Sequence, residues 1–415
     1  MQNNYKTRLI DGIVFAILAA IFYFYANYIY IGGFGVGYQY IGCMIIIAIG
    51  GVAFLVTPKL PEFIECMKGI GIMCLPYLVC IVVTLGIWIF TFTGIRQMIS
   101  GFFAPVYILI CVFCIGVVQY FLKKKAVAYV FWAMSIAFFI MIIQQMREVG
   151  VGEFFYEMYV LITSASTDTL PAMRVLEGPR FSYCYGLFFI YFLYHRKDTS
   201  KGRFFLRMLV CIFCFLVGFK RSCVLATIWG LVISLIYSHC GIFFKRKFVN
   251  ILIVVFLIFA VAYIPIVRYG VFDRIVEVLN IDTSHRDELY DYYFDYYEFD
   301  PSFMGQGFGW VQNHIEGQEG LYAYDVHNEY LRNYIELGFW GYIFWILSVF
   351  PWVIKQAITN KDQRKDAVIA GGMVYMAILY ITENIFLFYT FYMVLSVVIM
   401  SCRRDAIAGG KDELE

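Results

Sequence analysis

The residues with the clearest chemical potential stand together in the second half of the chain. His327, Asn328 and Glu329 precede an apolar run that contains Glu336. Imidazole changes charge near neutral pH and is the commonest general base. Asp325 is suited to cap a helix that begins just after it, which predicts His327 in the first helical turn. The positive end of a helix disfavours imidazolium, so the ring is expected to stay neutral and able to take a proton. A lone interfacial histidine is also a common structural element, and that reading stays open. Glu336 sharpens the case, because an ionisable residue more than two turns into an apolar helix defaults to function. Glu329 and Glu336 fall on one helix face. His327 has the wrong spacing to join them, so no His–Glu pair is expected along this helix. Gly338 and Gly341 permit a neighbouring helix to come close.

Cations form the second group. Lys220 and Arg221 are adjacent between two apolar runs with almost no loop. Two such charges at helix ends are costly unless paired or solvated. They either snorkel to headgroups or hold a lipid-linked phosphate at the membrane surface. Arg286 follows Ser284, and Ser284 with Asp287 has capping-box spacing. That predicts a helix start at Arg286, where backbone N–H groups also favour anions. A surface pair with Asp287 is the plainer alternative. The predicted helix runs on to Asp300, where Pro301 stops it. Tyr290, Tyr293, Tyr296 and Tyr297 share one of its faces. They suit either an interfacial belt or sugar rings, which stack on aromatics while acids bind their hydroxyls.

Other chemistry is poorly supported. Gly305-Gln306-Gly307-Phe308-Gly309 is a flexible turn, not a dinucleotide fingerprint. No metal-ligand spacing and no nucleophile elbow occurs, so metal-independent chemistry without a cofactor is expected. The twelve cysteines lie mostly within apolar runs, where they act as small hydrophobes. Cys111 and Cys114 form a C-x-x-C without polar neighbours, which argues against a redox role.

The elements that must position these residues are membrane spans. Of 415 residues, 62% are hydrophobic and 15% charged, against about 25% charged in soluble domains. Apolar blocks of roughly 17–23 residues recur, the length a bilayer core demands. The fold class is therefore an all-α polytopic membrane protein, a single membrane domain over residues 1–415. Twelve spans are predicted, near residues 10–31, 38–57, 70–92, 102–122, 126–145, 181–195, 203–219, 222–241, 248–267, 328–352, 367–383 and 385–401. A cytoplasmic N-terminus places about 22 Lys and Arg inside and about 10 outside, a strong positive-inside bias. Both termini are then cytoplasmic. The outer minority is nearly all arginine, the side chain that grips phosphate or carboxylate with a planar fork. Two long outer loops follow, 146–180 and 268–327. The net charge of +2 carries no basic domain, so nucleic acid is not an expected partner.

The run Arg221-Ser222, Arg286 upstream of Gly305-Gln306-Gly307-Phe308-Gly309, and His327-Asn328-x-x-Leu331 with Glu336 and Gly338 resembles the O-antigen ligase and O-antigen polymerase superfamily of bacterial envelope glycosyltransferases. The resemblance covers about residues 175–385. It implies a polyprenyl-diphosphate-linked glycan donor, a glycan acceptor, and transfer at the outer face of the bacterial cytoplasmic membrane. It implies that Arg221 and Arg286 bind the diphosphate and that His327 activates the acceptor hydroxyl, with inversion at the anomeric carbon. Arg180, in Gly178-Pro179-Arg180, is similar to another arginine of that family. Lys220 departs from the serine common there, and the Pro-Asn usual after the Arg180 region is missing. Arg180, Lys220, Asn328, Glu336, Tyr293 and Tyr297 are then the expected substrate contacts. A flippase and a chain-length regulator are the implied protein partners. Polymerisation of lipid-linked repeats into a surface polysaccharide is the preferred reading, because the second outer loop is rich in sugar-contacting types and the chain is compact. Ligation of a finished glycan to lipid A core is the alternative. A lipid-linked oligosaccharide flippase is the third reading, disfavoured because the spans carry few polar residues.

Overall fold

The structure is a computed structural model. It describes residues 2–412 apart from 28–36, 57–58, 92, 165–169, 280–285, 316–325 and 360. Its described residues are helices and connecting turns, with no strand among them. Helices α1 (Gln2–Ala26), α2 (Tyr38–Val56), α3 (Leu60–Phe90), α4 (Ile95–Leu122) and α5 (Ala126–Val149) come first. The shorter α6 (Val151–Ser164) and α7 (Pro171–Glu177) make up much of the first long connection. Four helices follow: α8 (Ser182–Tyr194), α9 (Lys201–Val217), α10 (Arg221–His239) and α11 (Ile242–Arg268). The second connection holds α12 (Val271–Leu279), α13 (Arg286–Tyr293) and α14 (Trp310–Ile315). The chain closes with α15 (Glu329–Leu347), α16 (Val353–Ala357), α17 (Gln363–Thr382) and α18 (Tyr389–Asp412).

Each of the twelve predicted spans overlaps a helix among the described residues, but α9 at the seventh is not among those long and apolar enough to cross a membrane. Among the described residues, eight helical stretches are long and apolar enough to cross a membrane, and one of these, Ile95–Val149, holds both α4 and α5. Ser182–Tyr194 and Tyr389–Arg403 are apolar but shorter. The protein is a multi-pass helical membrane protein. Close packing follows from small residues, as expected where hydrocarbon supplies no hydrophobic drive. On the α10–α17 face, Ser234 Oγ donates to the Ala367 carbonyl at 2.8 Å, and a Cβ on Gly371 would lie 2.0 Å from that hydroxyl. One end of the bundle is laced by ion pairs: Lys123–Glu62 at 3.0 Å, Lys125–Asp11 at 2.9 Å and Arg403–Glu65 at 3.1 Å. The two long connections lie at the opposite end.

The second connection turns back into the bundle and docks on α15. Gly338 interrupts that helix with φ 70° and ψ −178°. A break in a buried helix strips carbonyls and amides of their ladder partners, which costs several kcal/mol each in hydrocarbon unless they are met elsewhere. The glycine-rich turn meets them. Gln306 N donates to Ile335 O at 3.0 Å, Gly307 N to Glu336 O at 2.8 Å, and Phe339 N to Phe303 O at 2.9 Å. Phe308 N donates to Thr84 Oγ1 at 3.2 Å, tying the turn to α3 as well. The approach requires glycine: a Cβ on Gly305 would stand 2.3 Å from Gly338 N.

The predicted helix to Asp300 is shorter than expected. It ends at Tyr293, continues as a 3-10 turn over Phe294–Tyr296, and becomes extended at Tyr297. Arg268 explains the stop, donating from Nη1 to the Phe294 carbonyl at 2.9 Å and lying 3.5 Å over the Phe294 ring. Asp300 then accepts from Ser302 N at 2.7 Å in an Asp-Pro-Ser turn. The change of period reorients the tyrosines. Tyr290, Tyr293 and Tyr297 are buried against the bundle, whereas Tyr292 and Tyr296 are partly exposed.

Gly338→Ala should therefore destabilise the protein by about 1–3 kcal/mol, the usual cost of side chains forced into such backbone. The check is a melting curve in detergent micelles. An unchanged midpoint would contradict the docking described.

Candidate functional site

The site forms where three connections meet. The first long connection supplies Arg180 at the entry to α8, the short turn before α10 supplies Lys220, and the second long connection supplies His327 ahead of α15. A fourth contribution comes from the tight turn between α17 and α18, where Glu383 and Asn384 are both buried.

His327 does not occupy a first helical turn. The helix begins at Glu329, and its N-cap is Asn328; Asp325, the expected cap, lies outside the described residues. Asn328 Oδ1 accepts from Leu331 N at 2.9 Å, the side-chain bond of a standard cap. His327 sits just before this cap with φ 48°, left-handed backbone that few non-glycine residues adopt. Its ring is partly exposed (39%), and Nδ1 lies 3.6 Å from Glu383 Oε2. The partner of the histidine is thus a carboxylate from a distant turn, not a helix terminus.

Two adjacent residues hold that pairing in place. Asn328 Nδ2 donates to the Ile381 carbonyl at 2.9 Å and to the Tyr263 hydroxyl at 2.6 Å. Glu329 Oε2 accepts from Phe386 N at 3.0 Å, while Oε1 accepts from Asn333 Nδ2 at 2.8 Å. Tyr77 donates to the Phe386 carbonyl at 2.6 Å. Bonds on both sides of Glu383 therefore fix its turn to the segment that carries His327. Fixed geometry of this kind lets a carboxylate orient an imidazole and stabilise its charged form.

Glu383 is enclosed. Burial alone would raise its pKa, but contacts with His327, Lys220 and Tyr183 outweigh burial and hold the carboxyl below the usual glutamate range. It is therefore an anion at neutral pH. Lys220 also forms an ion pair with Glu177 at the end of α7. Arg180 has φ 59°, and its guanidinium lies 3.8 Å over the Phe388 ring at the far side of the same turn. A buried anion, a half-exposed imidazole and two cations thus share one end of the bundle.

The remaining candidates separate from this group. Arg221 opens α10 and points its Nη2 at the Ser164 carbonyl, 3.2 Å away at the end of α6. Arg286 opens α13 as expected, but its side chain, like Ser284, lies outside the described residues. Asn328 is fully buried, with its amide engaged as above, so it positions its neighbours and offers a substrate no surface. Glu336 is also fully buried; Oε1 accepts from Val311 N at 3.1 Å and Oε2 lies 3.6 Å from Arg332 Nε. It braces the second connection against α15. Tyr293, with its hydroxyl 3.2 Å from the Val311 carbonyl, and Tyr297 are turned inward, so the expected sugar-facing pair is internal. Glu383 was missed in the sequence. The one available signal was an acidic residue in a tight turn between two apolar runs, on the side expected to face outward.

Among known families, residues 206–346 match the O-antigen ligase family model. The matched stretch contains Lys220, Arg221, Arg286, His327 and Glu336, and it ends before Glu383. The comparison with curated proteins returned no match, nor did that with solved structures.

Asn328→Ala should lower stability by about 1 kcal/mol or more through loss of the cap, seen as an earlier melting midpoint in micelles. Glu383→Gln carries a pH signature. The depressed folded pKa means its stabilisation is complete above the unfolded value, about 4.3, and is lost as pH falls through the lower folded value. The Gln variant should show a flatter acid limb than the parent; parallel limbs would contradict the buried anion.

Proposed function

We propose that this membrane protein, which carries an O-antigen ligase family domain over residues 206–346, transfers a glycan from a polyprenyl-diphosphate carrier to a sugar hydroxyl at the extracytoplasmic face of the bacterial cytoplasmic membrane. The observation that carries this reading is the pairing of His327 with buried Glu383 beside Lys220 and Arg180, within such a domain. An imidazole backed by a carboxylate suits proton removal from a hydroxyl. Cations at a bilayer surface suit a diphosphate that cannot leave the membrane.

In the proposed reaction, His327 takes the proton of the acceptor hydroxyl as its oxygen attacks the anomeric carbon. The bond between that carbon and the phosphate oxygen breaks, and the electron pair leaves with the lipid diphosphate. Attack opposite the leaving group inverts the configuration. Glu383 holds the ring and stabilises the imidazolium that forms. Lys220, Arg180 and, from the mouth of α10, Arg221 offset the charge growing on the diphosphate. Arg286 is proposed to join them. In this scheme leaving-group charge is carried by side chains and no cofactor takes part.

Of the transfer reactions open to such a site, polymerisation of lipid-linked repeats is preferred. The second connection presents aromatic and acidic side chains outward, as a protein that grips a growing chain requires. The match to an O-antigen ligase family favours ligation to a separate acceptor, which is the second reading. Both place the positively flanked helix ends and the chain termini in the cytoplasm.

His327→Ala should reduce glycan transfer by about 10³-fold or more, within the range of a lost general base combined with lost positioning, with normal amounts of protein in the membrane. Glu383→Gln should reduce it by about 10–100-fold. The assay is reconstitution in vesicles with lipid-linked repeats extracted from the source cells. Products several repeats long indicate polymerisation; a single transfer to lipid A core indicates ligation; full activity in the His327 variant would sink the mechanism.

A further inference from the structure

The tyrosines that turn outward do so in company. Trp310 and His314, one helical turn apart on α14, stack with ring centroids 4.3 Å apart and planes 16° from parallel. Tyr296 approaches both, at 5.2 Å from Trp310 and 4.7 Å from His314. Tyr292 lies 5.7 Å from His314. All four rings are partly exposed. Asp291, Asp295 and Gln312 around them are exposed. The His314 Nε2 atom is buried and has no hydrogen-bond partner among the described residues. Partial burial also lowers the pKa of that ring, which keeps it neutral at physiological pH.

The cluster is rigidly mounted. Val311, within the same helix, gives its N–H to Glu336 Oε1 and its carbonyl to Tyr293. Asn313 Nδ2 donates to Ser100 Oγ at 2.7 Å, which ties α14 to α4. A rigid aromatic surface binds at low entropic cost. An interfacial belt of the usual kind is a poor description, because belt rings sit among lipid headgroups and acyl ends. Here they stack on one another, with two exposed carboxylates alongside and an unmet ring nitrogen among them.

We propose that Tyr292, Tyr296, Trp310 and His314 form a carbohydrate-contact platform, which holds sugar residues of the glycan remote from the reacting end. Pyranose rings present C–H faces that lie flat on aromatic rings, and their hydroxyls find Asp291, Asp295 and Gln312. The proposal rests on the reading that this chain handles a glycan, but the platform binds independently of the transfer chemistry.

The test measures binding of a lipid-free oligosaccharide, released by mild acid from the source cells' own surface polysaccharide, to full-length protein in micelles by titration calorimetry. Trp310→Leu and Tyr296→Leu should each weaken binding about five- to ten-fold, as loss of an aromatic stacking partner implies. Trp310→Tyr, which restores a ring, should bind within about two-fold of the parent and guards against a folding defect in the Leu variant. No binding by the parent, or parent-like binding by both Leu variants, overturns the platform. His327→Ala separates the two ideas in the same preparation. Lost transfer with retained binding supports both, whereas retained transfer overturns the chemistry and leaves the platform standing.

Discussion

The structure depends on one constraint: in hydrocarbon, each polar backbone group must find its partner inside the protein. A plain bundle meets this trivially, since helices satisfy themselves. This chain breaks α15 at Gly338 and inserts a glycine turn beside the break. The interruption and the insertion are therefore a single feature, each supplying what the other lacks. The docked turn carries the second connection with it, so α13 and α14 are held against the bundle and do not lie loose on the surface. The same constraint acts at the turn between α17 and α18. There Asn328 and Glu329 satisfy Ile381 and Phe386, and the satisfied turn delivers Glu383 to His327.

Electrostatics at this end is arranged by nesting. An uncompensated buried carboxylate would cost several kcal/mol, and Glu383 is kept ionised by His327, Lys220 and Tyr183 around it. Lys220 is itself shared with Glu177, so its position follows from the first connection as well as from α10. The histidine is thereby linked to both long connections, and a ligand that draws on Lys220 would be felt at the imidazole through Glu383. Deeper in the bundle, the Arg332–Glu336 pair uses the same chemistry for bracing, because it is sealed from solvent on every side.

Much of this was legible in the sequence, for a physical reason. Spans are set by the thickness of a bilayer, and a run of apolar residues reports that length directly, so the all-helical, multi-pass architecture was legible. His327 and the Lys220-Arg221 pair stood out because polar residues at span ends are few. What sequence could not supply was long-range pairing. Glu383 is 56 positions from His327, and only the docking of one turn on another joins them. Glu336 misled for a related reason: an acid in an apolar helix signals a polar partner, but not whether that partner is substrate or the backbone of Val311. The tyrosines misled because a continuous helical period was assumed to Asp300. Arg268 captures the Phe294 carbonyl and ends that period, which no local rule in the sequence announces.

His327 and Arg180 share one further property, backbone angles in the left-handed region. Such positions favour glycine, which adopts them without strain. At both, the fold and the chemistry therefore ask for different residues. The main chain would relax with a bare α-carbon, and only the imidazole or guanidinium argues against it. Glycine at either position would ease the main chain but remove the side chain the chemistry needs, and at 327 it would also take one partner from buried Glu383. Relief of the backbone and loss of side-chain contacts thus oppose each other there, so abundance in the membrane is a poor proxy for an intact site at these two positions.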